Sequence, residues 1–288
     1  MGTLYLVATP IGNLEDITLR ALRVLRECAL IASEDTRTTR RLLDHFGIQT
    51  PLLSYFEHNK LTRLEQVLIA LQSGDVALVS EAGTPLLSDP GYELVQAVLE
   101  RGIPVMPVPG PSALLAALSV SGLPTDRFMY LGFLPRRSPE RRRTLSEVAG
   151  LRATLVCFEA PHRLVAALAD ACAVLGGERR CAIGRELTKL HEEVWRGTLA
   201  GAYAEWQARP PRGEFTLVIA GAPAEAAWDV ERVRAALAEL RAAGISRSEA
   251  ARQVARRSGW ARRALYGLWP DEPATDTQQI NQGQELSV

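Results

Sequence analysis

The feature that most constrains this chain is a rhythm in its first 120 residues. Short apolar runs alternate with stretches of helical spacing, and three of those runs end in loops rich in proline and glycine. Residues 4–8 form an apolar run that stops at Pro10, and Leu19, Leu22 and Leu25 then recur on one helical face. Residues 29–33, 51–55, 76–80 and 103–108 read as further strands. Residues 36–45, 61–71, 91–101 and 112–120 read as helices between and after them. A βαβα succession of this kind predicts a mostly parallel sheet with helices on both faces.

The segment 122–125, Gly-Leu-Pro-Thr, marks a domain boundary. Beyond it, 128–134, 153–158, 181–184, 192–198 and 215–220 read as strands. One helix starts near Ser138, with serine as its cap and Pro139 in its first turn, and a second covers 161–175. Consecutive strands without helices between them predict more antiparallel pairing here. The expected fold class is therefore α/β, with two α/β domains: residues 1–121 around a mostly parallel sheet and 122–222 around a mixed one. A small helical unit then covers 229–270. Its first helix, 229–242, ends at Gly244. Ser246 and Glu249 have capping-box spacing and open a second helix, Gly259 stops it, and 260–269 form a third, as in a helix-turn-helix bundle. Residues 271–288 are polar and aperiodic and are expected to be a disordered tail.

Composition excludes several classes. With 288 residues and 47% hydrophobic side chains, the chain can bury a core without disulfides. Cys28, Cys157, Cys172 and Cys181 form no CxxC pair and read as reduced thiols. The four histidines have no metal-ligand spacing, so no metal is expected. No apolar run is long enough for a membrane span and no basic-then-apolar leader is present, so the expected location is the cytoplasm. The formal net charge of zero hides an asymmetry. Residues 229–270 hold nine arginines against Asp229, Glu231, Glu239 and Glu249, as a block reserved for an anionic partner would. Lys60 and Lys189 are the only lysines among 33 basic residues. A lysine kept in such a background suits a role arginine cannot fill, because lysine can lose its proton when buried.

Three strand-end loops gather the chemistry: 9–13, 81–91 and 109–113. In parallel sheets, ligands bind outside the carboxyl ends of the strands. Proline fixes such loops and glycine lets backbone amides approach a ligand, so together they predict a backbone-lined pocket, although each alone fits a tight turn. There is no GxGxxG, P-loop or GxSxG motif, which disfavours a nicotinamide site, a phosphate-binding loop and a hydrolase elbow. Glu159, His162 and Arg163 follow a strand and suit either proton transfer or helix-start capping and ion pairing. Asp35 follows another strand end, and its plainer reading is a helix N-cap. Residues 135–143 carry five arginines in nine positions, suited to phosphates or to a solvated helix start.

Taken together, LYLVATPIGNLEDIT (4–18), SEDTR (33–37), SEAGTPLLSDPG (80–91), VPGPSA (108–113), FEAPHR (158–163) and ELTKLHE (186–192) resemble the tetrapyrrole-methylase superfamily. More closely, the chain is similar to the bacterial branch that 2′-O-methylates cytidine 1402, in the decoding region of 16S ribosomal RNA. The resemblance spans residues 1–222, and the C-terminal helical unit resembles that branch's extension. It implies a two-domain enzyme, a homodimer, with S-adenosylmethionine in the cleft between domains. Carried over by position, Pro10 lies under the cofactor. Ala82, Gly83, Thr84 and Leu87 wrap its ribose and methionine ends with Ser112 and Ala113, and Glu159 and Leu187 contribute from the second domain. The superfamily often has aspartate where this chain has Thr84.

The resemblance makes Asp35 the first candidate for the general base, since it matches a position with an acid–base role in relatives. Lys189 is the second, acting neutral if desolvated, and Glu159 and Glu192 follow. The partner implied is 16S rRNA or the small ribosomal subunit. Its expected footprint is Arg136, Arg137, Arg141, Arg142 and Arg143, with Arg256, Arg257, Arg262 and Arg263 of the helical unit. The competing expectations are a superfamily enzyme acting on a tetrapyrrole or a protein side chain, a non-catalytic RNA-binding factor with this fold, and a nucleotide hydrolase.

Overall fold

A computed structural model describes residues 2–56, 60–223 and 228–270, without the side chains of 60–62. The expected disordered tail and the Lys60 side chain lie outside the described residues. Residues 1–222 form one compact unit and residues 223–288 another.

The first sheet contains β1 (Leu4–Val7), β2 (Leu30–Ser33), β3 (Leu52–Ser54), β4 (Val76–Val79) and β5 (Val105–Val108), in the order β3-β2-β4-β1-β5. Every pairing is parallel, as the alternation with helices predicts. The helices are α1 (Leu19–Glu27), α2 (Thr36–His45), α3 (Lys60–Ser73), α4 (Tyr92–Glu100) and α5 (Ala113–Val120). Successive strand residues face opposite ways. Ala77 and Val79 therefore pack with Ala21, Leu25 and Leu43 on one face, while Val76 and Leu78 pack with Val67, Leu71 and Leu94 on the other. The chain runs from β1 past β4 to β2, and from β4 past β1 to β5. The order thus reverses at the β1/β4 neighbours, where an open α/β sheet leaves a crevice at the strand ends.

The second sheet contains β6 (Phe128–Phe133), β7 (Thr154–Glu159), β8 (Arg180–Arg185), β9 (Glu193–Thr198) and β10 (Phe215–Ile219), in the order β6-β7-β10-β8-β9. Only β6 and β7 are parallel. The mixed character was expected, but its cause differs. Helices α6 (Ser138–Val148), α7 (Pro161–Leu175) and α8 (Leu199–Ala208) do separate most of the strands. The antiparallel pairs arise because the fully buried β10 inserts between β7 and β8, and because β8 and β9 form a hairpin. Helix α8 has no counterpart in the sequence reading. Thr198 caps it by accepting from the Gly201 amide, but its apolar residues show little one-sided spacing. Trp206 nevertheless anchors it in the core, edge-on to Phe215. Ser138 is not the cap of α6. It lies in the first turn, and its hydroxyl donates to Asp170.

Helix α5 joins the two sheets. Its Leu114, Ala117 and Leu118 pack on Val156, Ala182 and Val218 of the second sheet together with Ile11 from the first, so both halves share one core. Residues 228–270 form α9 (Val230–Ala242), α10 (Arg247–Ser258) and α11 (Arg262–Gly267), closed around Val233, Leu237, Val254 and Leu265. The Ser246 hydroxyl accepts from the Glu249 amide, and Gly259 ends α10 at φ 73°, as the spacing predicts. All four cysteines are free, and burial raises the thiols of Cys28, Cys157 and Cys181 to about 11, 12 and 12, so they are inert. Among the described residues, no helix is long and apolar enough to cross a membrane.

Candidate functional site

The three proline- and glycine-rich loops meet at the β1/β4 crevice. Thr9 and Gly83 exchange both backbone hydrogen bonds at 2.9 Å, and the Thr84 hydroxyl donates to the Pro111 carbonyl at 3.1 Å. Gly110 sits so close to Ala8 that a Cβ would lie 3.1 Å from the Ala8 Cβ. Gly83 has φ +79°, a conformation that disfavours any side chain. Together these contacts make the loops one backbone frame.

The frame bounds a cavity of about 330 Å³ whose other wall is the second sheet. Ala82, Gly83, Thr84, Leu87, Ser112 and Ala113 line it from the first sheet. Glu159 lines it from the second, with Phe158, Thr216 and Glu214. Pro10 lines an adjoining cavity of about 170 Å³, bounded also by Thr9, Thr38, Arg41 and Glu81. Leu187 is buried beside Gly184 and Ile11, in the apolar layer joining the sheets, and is not on the cavity wall.

The four described non-glycine residues with positive φ fall in two loops here: Leu86 and Ser88 in 80–91, and Glu186 and Thr188 in 186–192. Such strain persists only where neighbours over-determine the backbone. The Ser88 and Tyr130 hydroxyls share a 2.7 Å hydrogen bond between the sheets, and Glu186 accepts from the Glu214 amide at 2.9 Å.

Asp35 lines neither cavity. It caps α2, accepting from the Arg37 and Thr38 amides, and pairs with the Arg37 guanidinium, which holds its carboxyl below the usual range. Glu159 is buried, ion-paired with Arg163 at 2.9 Å and bonded to the Ala160 amide. Burial outweighs these partners and raises its carboxyl. The capping and ion-pairing readings thus describe both residues. Glu192 accepts from the Thr188 amide at 2.6 Å and braces the 186–192 loop.

Lys189 has the opposite ionisation to the one a neutral base needs. Burial would lower it, but carboxylates of Glu186 at 2.9 Å and Glu214 at 3.1 Å outweigh burial and hold the ammonium above its ordinary value. Its stem fills the space a Gly12 side chain would occupy, since a Cβ there would come 2.3 Å from the Lys189 Cγ.

The arginines divide. Arg136, Arg137, Arg142 and Arg143 are exposed, and Arg137 and Arg143 pair loosely along α6 with Glu140 and Glu147. Arg141 is a correction to the expected footprint. Its side chain is 4% exposed, against 84% for Arg143. It faces the core of α6 and α7 and binds Asp170, Pro135 and Arg136. Arg256, Arg257, Arg262 and Arg263 are exposed on the separate helical unit, where Arg257 and Arg232 both stack on Trp228.

Sequence reasoning did not single out Asp89, Glu34 or Glu81. Asp89 lines the larger cavity, and Glu81 borders both. Burial first, and then the charges of Glu34 and Glu81, push the Asp89 carboxyl up to about 7, while the nearby Ser80 hydroxyl pulls the other way. Burial also raises Glu34, which accepts from the Glu81 amide. The only signal in the sequence was the SDPG turn that carries Asp89.

Comparison with known proteins agrees with this geometry. Residues 3–203 match the family described as Tetrapyrrole (Corrin/Porphyrin) Methylases. The ribosomal RNA small subunit methyltransferase I of Synechocystis is 51% identical over 93% of this chain and 97% of its own. That of Halalkalibacterium halodurans is 46% identical over 94% and 96%. Among solved structures, a Thermus thermophilus uroporphyrin-III C-methyltransferase complexed with S-adenosylhomocysteine has a TM-score of 0.53 at 23% identity, covering 75% of this chain and 97% of its own. The methyltransferase CobJ has a TM-score of 0.59 at 17% identity, covering 77% and 95%. With its fold and nearly its whole length accounted for, the chain belongs to the tetrapyrrole (corrin/porphyrin) methylase family.

Proposed function

We propose that this protein transfers a methyl group from S-adenosylmethionine to the 2′-hydroxyl of a cytidine, position 1402 in the decoding region, of 16S ribosomal RNA. The observation that carries this reading is the cavity built on the stitched 9–13, 80–91 and 109–113 loops, in a chain half identical to small-subunit rRNA methyltransferases along almost its full length. The residues present fit the cofactor. Gly83 lacks a side chain where a Cβ would meet Ile11 at 3.3 Å, which leaves backbone groups facing a cavity with apolar and polar walls. Ala82, Gly83, Thr84, Leu87, Ser112 and Ala113 would hold it, with Glu159 opposite, while Pro10 borders the neighbouring cavity. When bound, S-adenosylmethionine supplies an electrophilic methyl group on a sulfonium.

The chain's own contribution is chiefly alignment. A rigid frame that holds two reactants in line can offset about 7–11 kcal/mol of barrier. The Ser88–Tyr130 hydrogen bond and the shared α5 layer fix one sheet against the other, so the cavity walls keep their spacing. Lys189, a cation buttressed by two carboxylates and seated against Gly12, braces loop 9–13. Exposed Arg136, Arg137, Arg142 and Arg143, with Arg256, Arg257, Arg262 and Arg263, would neutralise RNA phosphates, whose recognition is dominated by charge.

The protein would act in the cytoplasm as a homodimer. Exposed Met106 on β5 and Phe128 and Met129 on β6, the edge strands of the two sheets, offer apolar surface for a second copy. Light scattering would register twice the chain mass.

The test is methylation of small ribosomal subunits and of naked 16S rRNA from cells lacking the enzyme, with a labelled methyl donor. The expected product is one 2′-O-methylcytidine. Label on a base, on a ribosomal protein or on an added tetrapyrrole instead would overturn the reading.

A further inference from the structure

We propose that Asp89 accepts the proton of the hydroxyl that is methylated, a role that rests on the transfer reaction proposed above. In that step the hydroxyl oxygen attacks the methyl carbon as the carbon–sulfur bond breaks. The electron pair of that bond stays on sulfur, which leaves as a neutral thioether. The hydroxyl proton passes to an Asp89 carboxylate oxygen and from there to water.

The other carboxylates near the cavity are committed. Asp35 caps α2 and pairs with Arg37 outside the cavity. Glu159 is held by Arg163, and Glu214 by Lys189. Glu34 accepts from the Glu81 amide. Asp89 lines the cavity and forms no ion pair with a described cation.

Its backbone is also built to hold a position. Leu86 at φ 75° and Ser88 at φ 70° lie in the left-handed region, and Gly91 follows at φ 130°, where a Cβ would come 2.7 Å from the Leu78 Cδ2. Ser88 is pinned to Tyr130 across the sheets. A strained strap fixed at both ends presents Asp89 to the cavity with little freedom, as a reacting group requires.

The electrostatics then suit proton transfer. The groups facing Asp89 are Glu34 from the turn after β2, Glu81 from the end of β4 and Tyr130 from β6. Glu159 and Glu214 line the same cavity, each with its own cation. Three carboxylates without a shared cation cannot all ionise cheaply, so one keeps its proton to a higher pH. A base that ionises near neutrality combines availability with basicity better than Asp35, whose carboxyl is held low.

The experiment compares wild type, Asp89→Asn and Asp89→Glu in three measurements: calorimetric S-adenosylmethionine binding, single-turnover methylation of small subunits across pH, and infrared difference titration of the carboxyl. Wild-type rate should rise with pH to a plateau, with an apparent pKa near the printed value of about 7. Asp89→Asn should lose about 10²–10³-fold in rate at pH 8 and lose the pH limb, with cofactor affinity nearly unchanged. Asp89→Glu should recover part of the rate and the limb. The infrared difference should show one carboxyl ionising near neutrality. An Asn variant with wild-type rate and pH profile overturns the proposal. So does a rate loss that only follows lost cofactor affinity, or a carboxyl that ionises in the ordinary range. A wild type that binds the cofactor but methylates no small-subunit RNA overturns the transfer reading itself, and this role with it.

Discussion

Thr9 and Gly83 lie 74 positions apart, yet each donates its backbone N–H to the other's carbonyl at 2.9 Å. This reciprocal pair closes the loop after β1 onto the loop after β4, at the point where the sheet order reverses. Everything that lines the main cavity from the first sheet hangs on that junction or on the Thr84–Pro111 bond beside it.

The junction makes Gly83 the most sensitive backbone position in the site. Gly83→Val must hold a β-branched residue at φ +79°, which costs about 1–2 kcal/mol, and must push its side chain toward Ile11. We expect S-adenosylmethionine affinity to fall by at least about tenfold, the equivalent of 1.4 kcal/mol, in a protein whose circular dichroism is unchanged. Calorimetric titration measures it. Unaltered affinity would mean that the cofactor does not approach this turn.

Arg141 and Arg143 are two positions apart and should behave as different kinds of residue. Removing Arg141 leaves the buried Asp170 carboxylate with only part of its support, so Arg141→Ala should lose about 3–5 kcal/mol in urea unfolding. Arg143→Ala, at a solvated position, should stay within about 0.5 kcal/mol. Acid should expose the same contact. Burial would raise the Asp170 carboxyl, but Arg142, Ser138 and Arg141 outweigh it and hold it below its ordinary value. Its stabilising contribution is therefore present above about pH 4 and is lost as pH falls through the lowered value. Asp170→Asn should flatten that acid limb.

Asp89 should carry the reverse signature. Between the ordinary carboxylate range and about 7, the folded protein binds a proton that the unfolded chain has released. Stability therefore falls as pH rises through this window, and the full penalty stands above it. Asp89→Asn removes the penalty. Its Tm should match wild type near pH 4 and exceed it at pH 8, by about 2–4 °C for each kcal/mol relieved. Scanning calorimetry at both values checks this. A variant less stable than wild type at pH 8 would show that the carboxylate is well solvated.

Replacing Arg256, Arg257, Arg262 and Arg263 together by glutamine tests the helical unit as an RNA surface. These side chains are exposed and lie outside the core formed by Val233, Leu237 and Leu265. Each phosphate contact to a single strand contributes about 0.7 to the slope of log K against log salt, so the slope should become shallower by up to about 3. Filter binding to small-subunit RNA across a salt series reads it. An unchanged slope would remove the unit from the footprint.

Local order was largely legible. Helical spacing located α1 and α7, the Ser246–Glu249 pair located the start of α10, and Gly259 its end. Helix α8 escaped because its face is decided by a single large residue, Trp206, rather than by spacing. The loops that form the main cavity were named from proline and glycine alone, because those residues restrict or free the backbone wherever they stand.

What the sequence by itself determined, then, was which segments pair, cap and turn, and which family they belong to. These properties depend on neighbours a few residues away. Tertiary structure decided the insertion of β10, the burial of Arg141, the retained charge on Lys189 and the raised carboxyl of Asp89. Each is set by desolvation and by charges brought from distant positions: Asp170 to Arg141, Glu214 to Lys189, Glu34 to Asp89. Those sums exist only once the chain has folded, and the ionisation of the site is read from them.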